Sequence, residues 1–180
     1  MTTDRNQQNV ILEAALDLAA EKGWDNVELG DLAMHADITL ADLNGCYRDK
    51  GAILMDVTRY VDKKVLTQAR DFTQKTPENE NETARDLIFD IMMARFDVLN
   101  THREGYRSMI GAIARDPVAL PRAMPALINS MHWMLEAAGV HLKGWRRAAA
   151  ATGLVAIYIQ TIRSWLNDES MDMSKTMATL

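Results

Sequence analysis

Cysteine is almost missing: Cys46 stands alone. That excludes an internal disulfide framework, and the opening MTTDRNQQNV lacks the basic-then-apolar layout of a secretory signal. The expected location is therefore the cytoplasm. Four prolines and nine glycines among 180 residues supply too little turn chemistry for many short strands. An all-α chain follows. No uncharged apolar run reaches the roughly 18 residues of a membrane span, since Ala148–Ile162 is short and interrupted by Thr152, Gly153, Gln160 and Thr161. It reads as a buried helix.

The chemistry of catalysis is also missing. No Gly-rich phosphate loop, H-E-x-x-H pair or paired-cysteine spacing occurs, and the four histidines are scattered at 35, 102, 132 and 141. His132 and Glu136 form an i, i+4 pair, which fits a surface hydrogen bond better than a metal site. No catalytic residue, metal or cofactor is expected.

Hydrophobic residues make up 48% of the chain and charged ones 25%, enough apolar material for a real core. The net charge of −5 is unevenly spread. Residues 1–50 hold 4 basic against 10 acidic groups, or −6, and the remaining 130 residues hold 16 against 15, or +1. A segment that grips phosphates normally carries the opposite sign.

Periodicity sets out the helices. Ile11, Ala14, Ala15, Leu18 and Ala19 form one amphipathic stripe that Gly23 closes. A short helix is predicted over Glu28–Ala36, with Asp37 in a left-handed turn, and another over Leu40–Arg48, with Thr39 as N-cap and Asp42 as the acid of a capping box. The tight turn between them makes a helix-turn-helix layout. A long helix is expected from Asp49 to Gln74, then a polar linker at Pro77–Thr83. Further helices are expected over Thr83–Arg103, Glu104–Arg115, Pro121–Ala138 and Lys143–Asn167, with a short terminal piece within Ser170–Leu180.

ILEAALDLAAEKGW, LGDLAMHADIT and YRDKGAIL, between Ile11 and Leu54, resemble the N-terminal domain of TetR-family transcriptional regulators. The resemblance implies a homodimer, DNA contact through the third helix, and a C-terminal helical domain for a small, often apolar effector. On that basis the chain divides into a helix-turn-helix domain over 1–50 and a helical ligand-binding and dimerisation domain over 51–180. The DNA-facing residues would be Thr39, Leu40, Asn44, Tyr47, Arg48 and Lys50. This chain departs from the family pattern at Val27, Glu28, Leu40 and Asn44, and its third helix carries few groups able to donate to phosphates or base edges.

A second resemblance spans most of the chain. Trp145-Arg146-Arg147-Ala148, Ala156-Ile157-Tyr158 and Trp165-Leu166-x-Asp168-x-Ser170-x-Asp172 are similar to bacterial relatives of the ubiquinone-biosynthesis protein Coq9. Those proteins share the TetR-type fold, hold lipid and are thought not to read DNA. Their further amphipathic helix implies peripheral membrane contact if such a helix follows Leu180.

The helix over Lys143–Asn167 is apolar or small on nearly every face, so each face needs a cover. One side is expected to pack on the chain's own core and the other on a second copy, with Ile128, Met131, Leu135, Ala149, Gly153, Ala156 and Ile159 at the interface; the alternative is a monomer with one deeply buried helix. Flexible thioethers among apolar residues suit a variable guest. The expected lining for an apolar small molecule or lipid is Met92, Phe96, Leu99, Met109, Ile110, Ile113, Met131 and Tyr158. The same residues also fit an ordinary core.

Overall fold

The computed structural model describes residues 2–75, 84–170 and 172–180. Among them lie nine α-helices: α1 (Thr2–Lys22), α2 (Leu29–His35), α3 (Leu40–Cys46), α4 (Lys50–Lys75), α5 (Ala84–Asn100), α6 (Arg103–Arg115), α7 (Ala119–Ala137), α8 (Gly144–Leu166) and α9 (Ser174–Thr179). A 3-10 turn at Trp24–Asn26 joins α1 to α2. No strand occurs among the described residues. The linker expected at Pro77–Thr83 lies outside them.

Local chemistry places the helix ends close to their expected positions. Gly23, at φ 81°, turns the chain out of α1 in a conformation that costs glycine little. Asp37 takes the left-handed position, at φ 53°, between α2 and α3. Thr39 then opens α3 with a complete capping box. Its hydroxyl accepts from the Asp42 amide at 3.1 Å, and the Asp42 carboxylate accepts from the Thr39 amide at 3.1 Å. Two of the four amides that a helix start leaves unpaired are thereby satisfied.

Packing gathers the chain into two compact units that do not follow chain order. One comprises residues 1–61 with 99–124, and the other 62–98 with 125–180. A division at residue 50 follows the sequence; the packing division differs because α6 lies along α1 inside the first unit. In that unit the α1 stripe of Ile11, Ala15 and Leu18 is buried, together with Trp24, Leu32, Leu43, Tyr106 and Met109. The Trp24 amide donates to Ser108 Oγ at 2.7 Å, fixing the corner after α1 to α6.

In the second unit the core is Ile91, Met92, Phe96, Met131, Met134, Tyr158 and Trp165. Phe96 packs against Tyr158 and Trp165, with ring centroids 5.8 and 6.4 Å apart. The sequence motif Asp168-x-Ser170-x-Asp172 has a structural role here. Asp168 accepts from the Thr176 amide and hydroxyl, both at 2.8 Å, and from Ser170. These bonds seat α9 after the end of α8.

Candidate functional site

The α2–turn–α3 pair is held from behind by Leu32, Ala33 and Leu43, all buried. That leaves an outer surface of α3 on which the six expected DNA-facing residues can be placed one by one. Leu40 is 57% exposed, and Asn44 and Arg48 are also exposed. Thr39 is exposed, but its hydroxyl donates to Asp42 Oδ2 at 2.6 Å as part of the cap. Those hydrogen bonds hold the Asp42 carboxyl below its ordinary value.

Tyr47 and Lys50 are engaged elsewhere. Tyr47 is only 6% exposed, and its hydroxyl donates to Asp56 Oδ2 at 2.7 Å. Burial and the neighbouring carboxylate push its phenol well above the usual range. Lys50 Nζ lies 4.9 Å from the centroid of the Trp24 ring and donates to the Asp25 carbonyl at 3.2 Å. Partial burial lowers its pKa. The helix-turn-helix segment therefore exposes the polar donors Asn44 and Arg48, the latter with its Nε on Asp49 at 3.1 Å, and the acids Glu28, Asp37, Asp42 and Asp49. Met34, 77% exposed on α2, is an apolar addition to this face that periodicity alone did not single out.

Of the expected pocket residues, Met92, Phe96, Met131 and Tyr158 fall in the second unit and are buried. Leu99 and Met109, also buried, and the partly buried Ile110 and Ile113 belong to the first. The second unit carries an open groove of about 810 Å³ lined by Ile88 and Phe89 of α5, Leu135 of α7, Leu154 and Ile157 of α8 and Met177 of α9, with Arg85 at α5 and Leu180 at the chain end. A cleft of about 680 Å³ in the first unit runs past Trp24, Arg48, Lys50 and Arg122.

Apart from the residues that line the groove, the second unit holds a buried charged cluster that the sequence pattern did not single out. Arg95 is 2% exposed, and its Nη1 donates to Asp62 Oδ1 at 2.5 Å. The same Asp62 oxygen accepts from Ser130 Oγ at 2.6 Å, and the guanidinium carbon lies 4.9 Å from the Tyr158 ring centroid. Burial alone would lower the Arg95 pKa, but Tyr158 and Asp62 raise it, so the group stays charged. A signal was present in the sequence. Ile91, Arg95 and Val98 share one helical face, which puts a cation on the buried stripe of α5.

The expected interface residues divide in the same way. Ala149, Gly153 and Ala156 are exposed on α8, and Ile128 and Ile159 are partly so. Met131 and Leu135 are buried within the chain. On α7 it is Trp133, 53% exposed, that faces outward, and Trp145 at the start of α8 is 76% exposed. Glu136 is met by His141 Nδ1 at 3.1 Å and Arg147 Nη2 at 3.7 Å, while Arg147 Nε donates to His132 Nδ1 at 3.3 Å. No group of three or more metal-ligating side chains gathers among the described residues.

The bonds on Asp168 hold its carboxyl well below the usual range, through Ser170 first and Thr176 next. Because the folded value is depressed, its contribution is present above the ordinary carboxylate pKa of about 3.9 and is lost only as pH falls through the lower, folded value. We expect hydrogen exchange to show α9 protected at about pH 4. Asp168→Ala should expose the α9 amides at every pH while leaving those of Leu154–Ile162 unchanged.

The architecture decides the comparison with known folds. A solved TetR transcriptional regulator from Nitrosomonas europaea superposes with a TM-score of 0.74 at 23% identity, covering 95% of this chain and 91% of that one. The fold is that of the TetR-type regulators. A TetR regulator from Rhodococcus sp. RHA1 gives 0.70 at 20% identity, covering 97% and 92% of the two chains. The TetR-family repressor FadR of Thermus thermophilus, solved with lauroyl-CoA, gives 0.63 at 15% identity, covering 96% and 88%. No protein-family model and no curated relative matches the chain. No described helix is long and apolar enough to cross a membrane.

Proposed function

We propose that the protein is a homodimeric transcriptional regulator that reads DNA through α3 and responds to an apolar effector held in its second unit. The observation that carries this reading is the α2–turn–α3 pair. Its left-handed Asp37 and full capping box give the tight turn of a helix-turn-helix, with the outer face of α3 open to solvent, which supports a reading role. Dimerisation would use the small-residue face of α8, where Ala149, Gly153 and Ala156 recur at helical spacing. Such a face admits a second helix closely. An acyl-type effector agrees with the apolar groove and with the lauroyl-CoA bound by the Thermus thermophilus neighbour.

A second reading has specific support. The −6 charge of residues 1–50 and the inward-turned Tyr47 and Lys50 favour a Coq9-like lipid-holding protein that keeps the fold without reading DNA. A fluorescence titration of labelled native upstream DNA at low salt separates the two. The regulator reading predicts submicromolar binding with a shallow salt dependence, because few cations meet phosphate. Arg48→Ala should weaken binding to all sequences alike. Asn44→Ala should cost about 1–3 kcal/mol at the specific site and relax the preference for it. No binding at micromolar protein would remove this reading and leave the lipid-holding one.

A further inference from the structure

Arginine is almost never fully buried unless it is paired, and a buried donor without an acceptor is rarer still. Arg95 is buried and only partly satisfied. Its Nη1 serves Asp62, yet its Nε has no hydrogen-bond partner among the described residues. A guanidinium presents five donors in a planar fork; with Asp62 on Nη1 and Tyr158 also hydrogen-bonding to the group, the Nε–H remains to donate to one oxygen of a further acceptor such as a carboxylate.

Helical arithmetic places this donor beyond the inner end of the open groove. On α5, groove-lining Ile88 is followed at i+4 by Met92 and at i+7 by Arg95. On α8, Leu154 is followed at i+4 by Tyr158, and on α7, Leu135 is preceded at i−4 by Met131. One turn is about 5.4 Å. Met92, Met131 and Tyr158 thus form a buried layer one turn further along the same three helical faces, and Arg95 comes next on α5. Two of the three are methionines, whose unbranched thioethers shift between rotamers at little cost.

We propose that Arg95 is the anchor for the carboxylate of an amphipathic effector, whose hydrocarbon chain runs outward through the groove between α5, α7, α8 and α9. One oxygen of the ligand carboxylate accepts from the Nε–H of the guanidinium while Asp62, held by Ser130, keeps Nη1. Met92 and Met131 move aside to admit it. The groove's volume of about 810 Å³ lies in the range of pockets that enclose drug-sized ligands. The ligand class is a long-chain or aromatic carboxylic acid. This inference rests on the proposed apolar effector domain and assigns the polar end of its ligand.

The test is calorimetric titration of the full chain with dodecanoate and with dodecanol, which share a chain and differ in the head. Wild type should prefer dodecanoate by about tenfold or more. Asp62→Leu/Arg95→Met, which removes both charges together, should bring the two ligands within about twofold of each other. On wild type, dodecanoate labelled at its carboxyl carbon should show a bound NMR resonance of the ionised form, a readout that does not depend on how any variant folds. Equal affinity for the two ligands on wild type, or an acid preference that survives in the double variant, would overturn the anchor while leaving the apolar groove in place. Failure of both ligands to bind would overturn the effector-domain reading and the anchor with it.

Discussion

Arg95→Ala should lower the thermal midpoint by on the order of 10 °C, the largest effect expected from any single charge in this protein. The cause is what the substitution leaves behind. Asp62 is buried on α4 and would keep only the Ser130 hydroxyl as a donor. Breaking a buried pair from one side costs about 3–5 kcal/mol, since the remaining charge is neither solvated nor neutralised. Removing both sides has a different outcome. Asp62→Leu/Arg95→Met exchanges two desolvated charges for apolar volume, and the Ser130 bond it forfeits is worth only about 1 kcal/mol. The double variant should therefore melt within a few degrees of wild type. Far-UV circular dichroism on the three proteins reads both effects. Equal losses in the single and double variants would show that the pair contributes through packing and not through charge.

Gly105→Ala should destabilise the first unit by about 3 kcal/mol or more, at the upper end of the overpacking range. A Cβ at this position would lie 2.3 Å from the Leu16 carbonyl oxygen and 3.0 Å from its carbon. Both are backbone atoms of α1, so no side chain can rotate out of the way. The helices would have to separate, loosening the layer that holds Trp24 and, through α1 and α2, the helix-turn-helix segment. Gly45→Ala is the matched control. A Cβ at Gly45 meets nothing within 4 Å, so that substitution should stabilise α3 by up to about 1 kcal/mol through helix propensity alone. Chemical denaturation followed by circular dichroism tests both, with opposite signs expected.

Local features were legible in the sequence because their causes are local. Gly23, Asp37 and the Thr39–Asp42 box each act over a few residues, and each stands where the pattern puts it. The same holds for the amphipathic stripe of α1. Features that depend on another helix were not legible. Tyr47 reads as a surface donor from α3 alone, but its direction is set by Asp56, which sits on α4. Arg95 falls on the buried stripe of α5, but the pattern does not name its counter-charge: Asp62 lies 33 residues away in sequence.

Pocket and interface residues illustrate a finer limit. Periodicity identifies which stripe of a helix turns inward, not how deep a given turn of it lies. Met92, Met131 and Tyr158 are buried one helical turn from Ile88, Leu135 and Leu154, which line the open groove. On α7, Met131 and Leu135 share the inward face, and Trp133, two residues from each, points the other way. The apolar character of α8 is likewise divided. Leu154, Val155, Tyr158 and Ile162 are covered by the chain itself, while Ala149, Gly153 and Ala156 remain exposed.

In the proposed regulator, effector and DNA bind to opposing states of one molecule. Linkage then requires that the factor by which effector weakens DNA binding equal the factor by which DNA weakens effector binding. The most direct measurement is the fluorescence anisotropy of labelled upstream DNA, held by the protein at low salt, during titration with dodecanoate. The expected result is a fall to the value of unbound DNA, at concentrations that track dodecanoate affinity. A complex that persists once the protein is saturated with dodecanoate, or DNA that never binds, would contradict it.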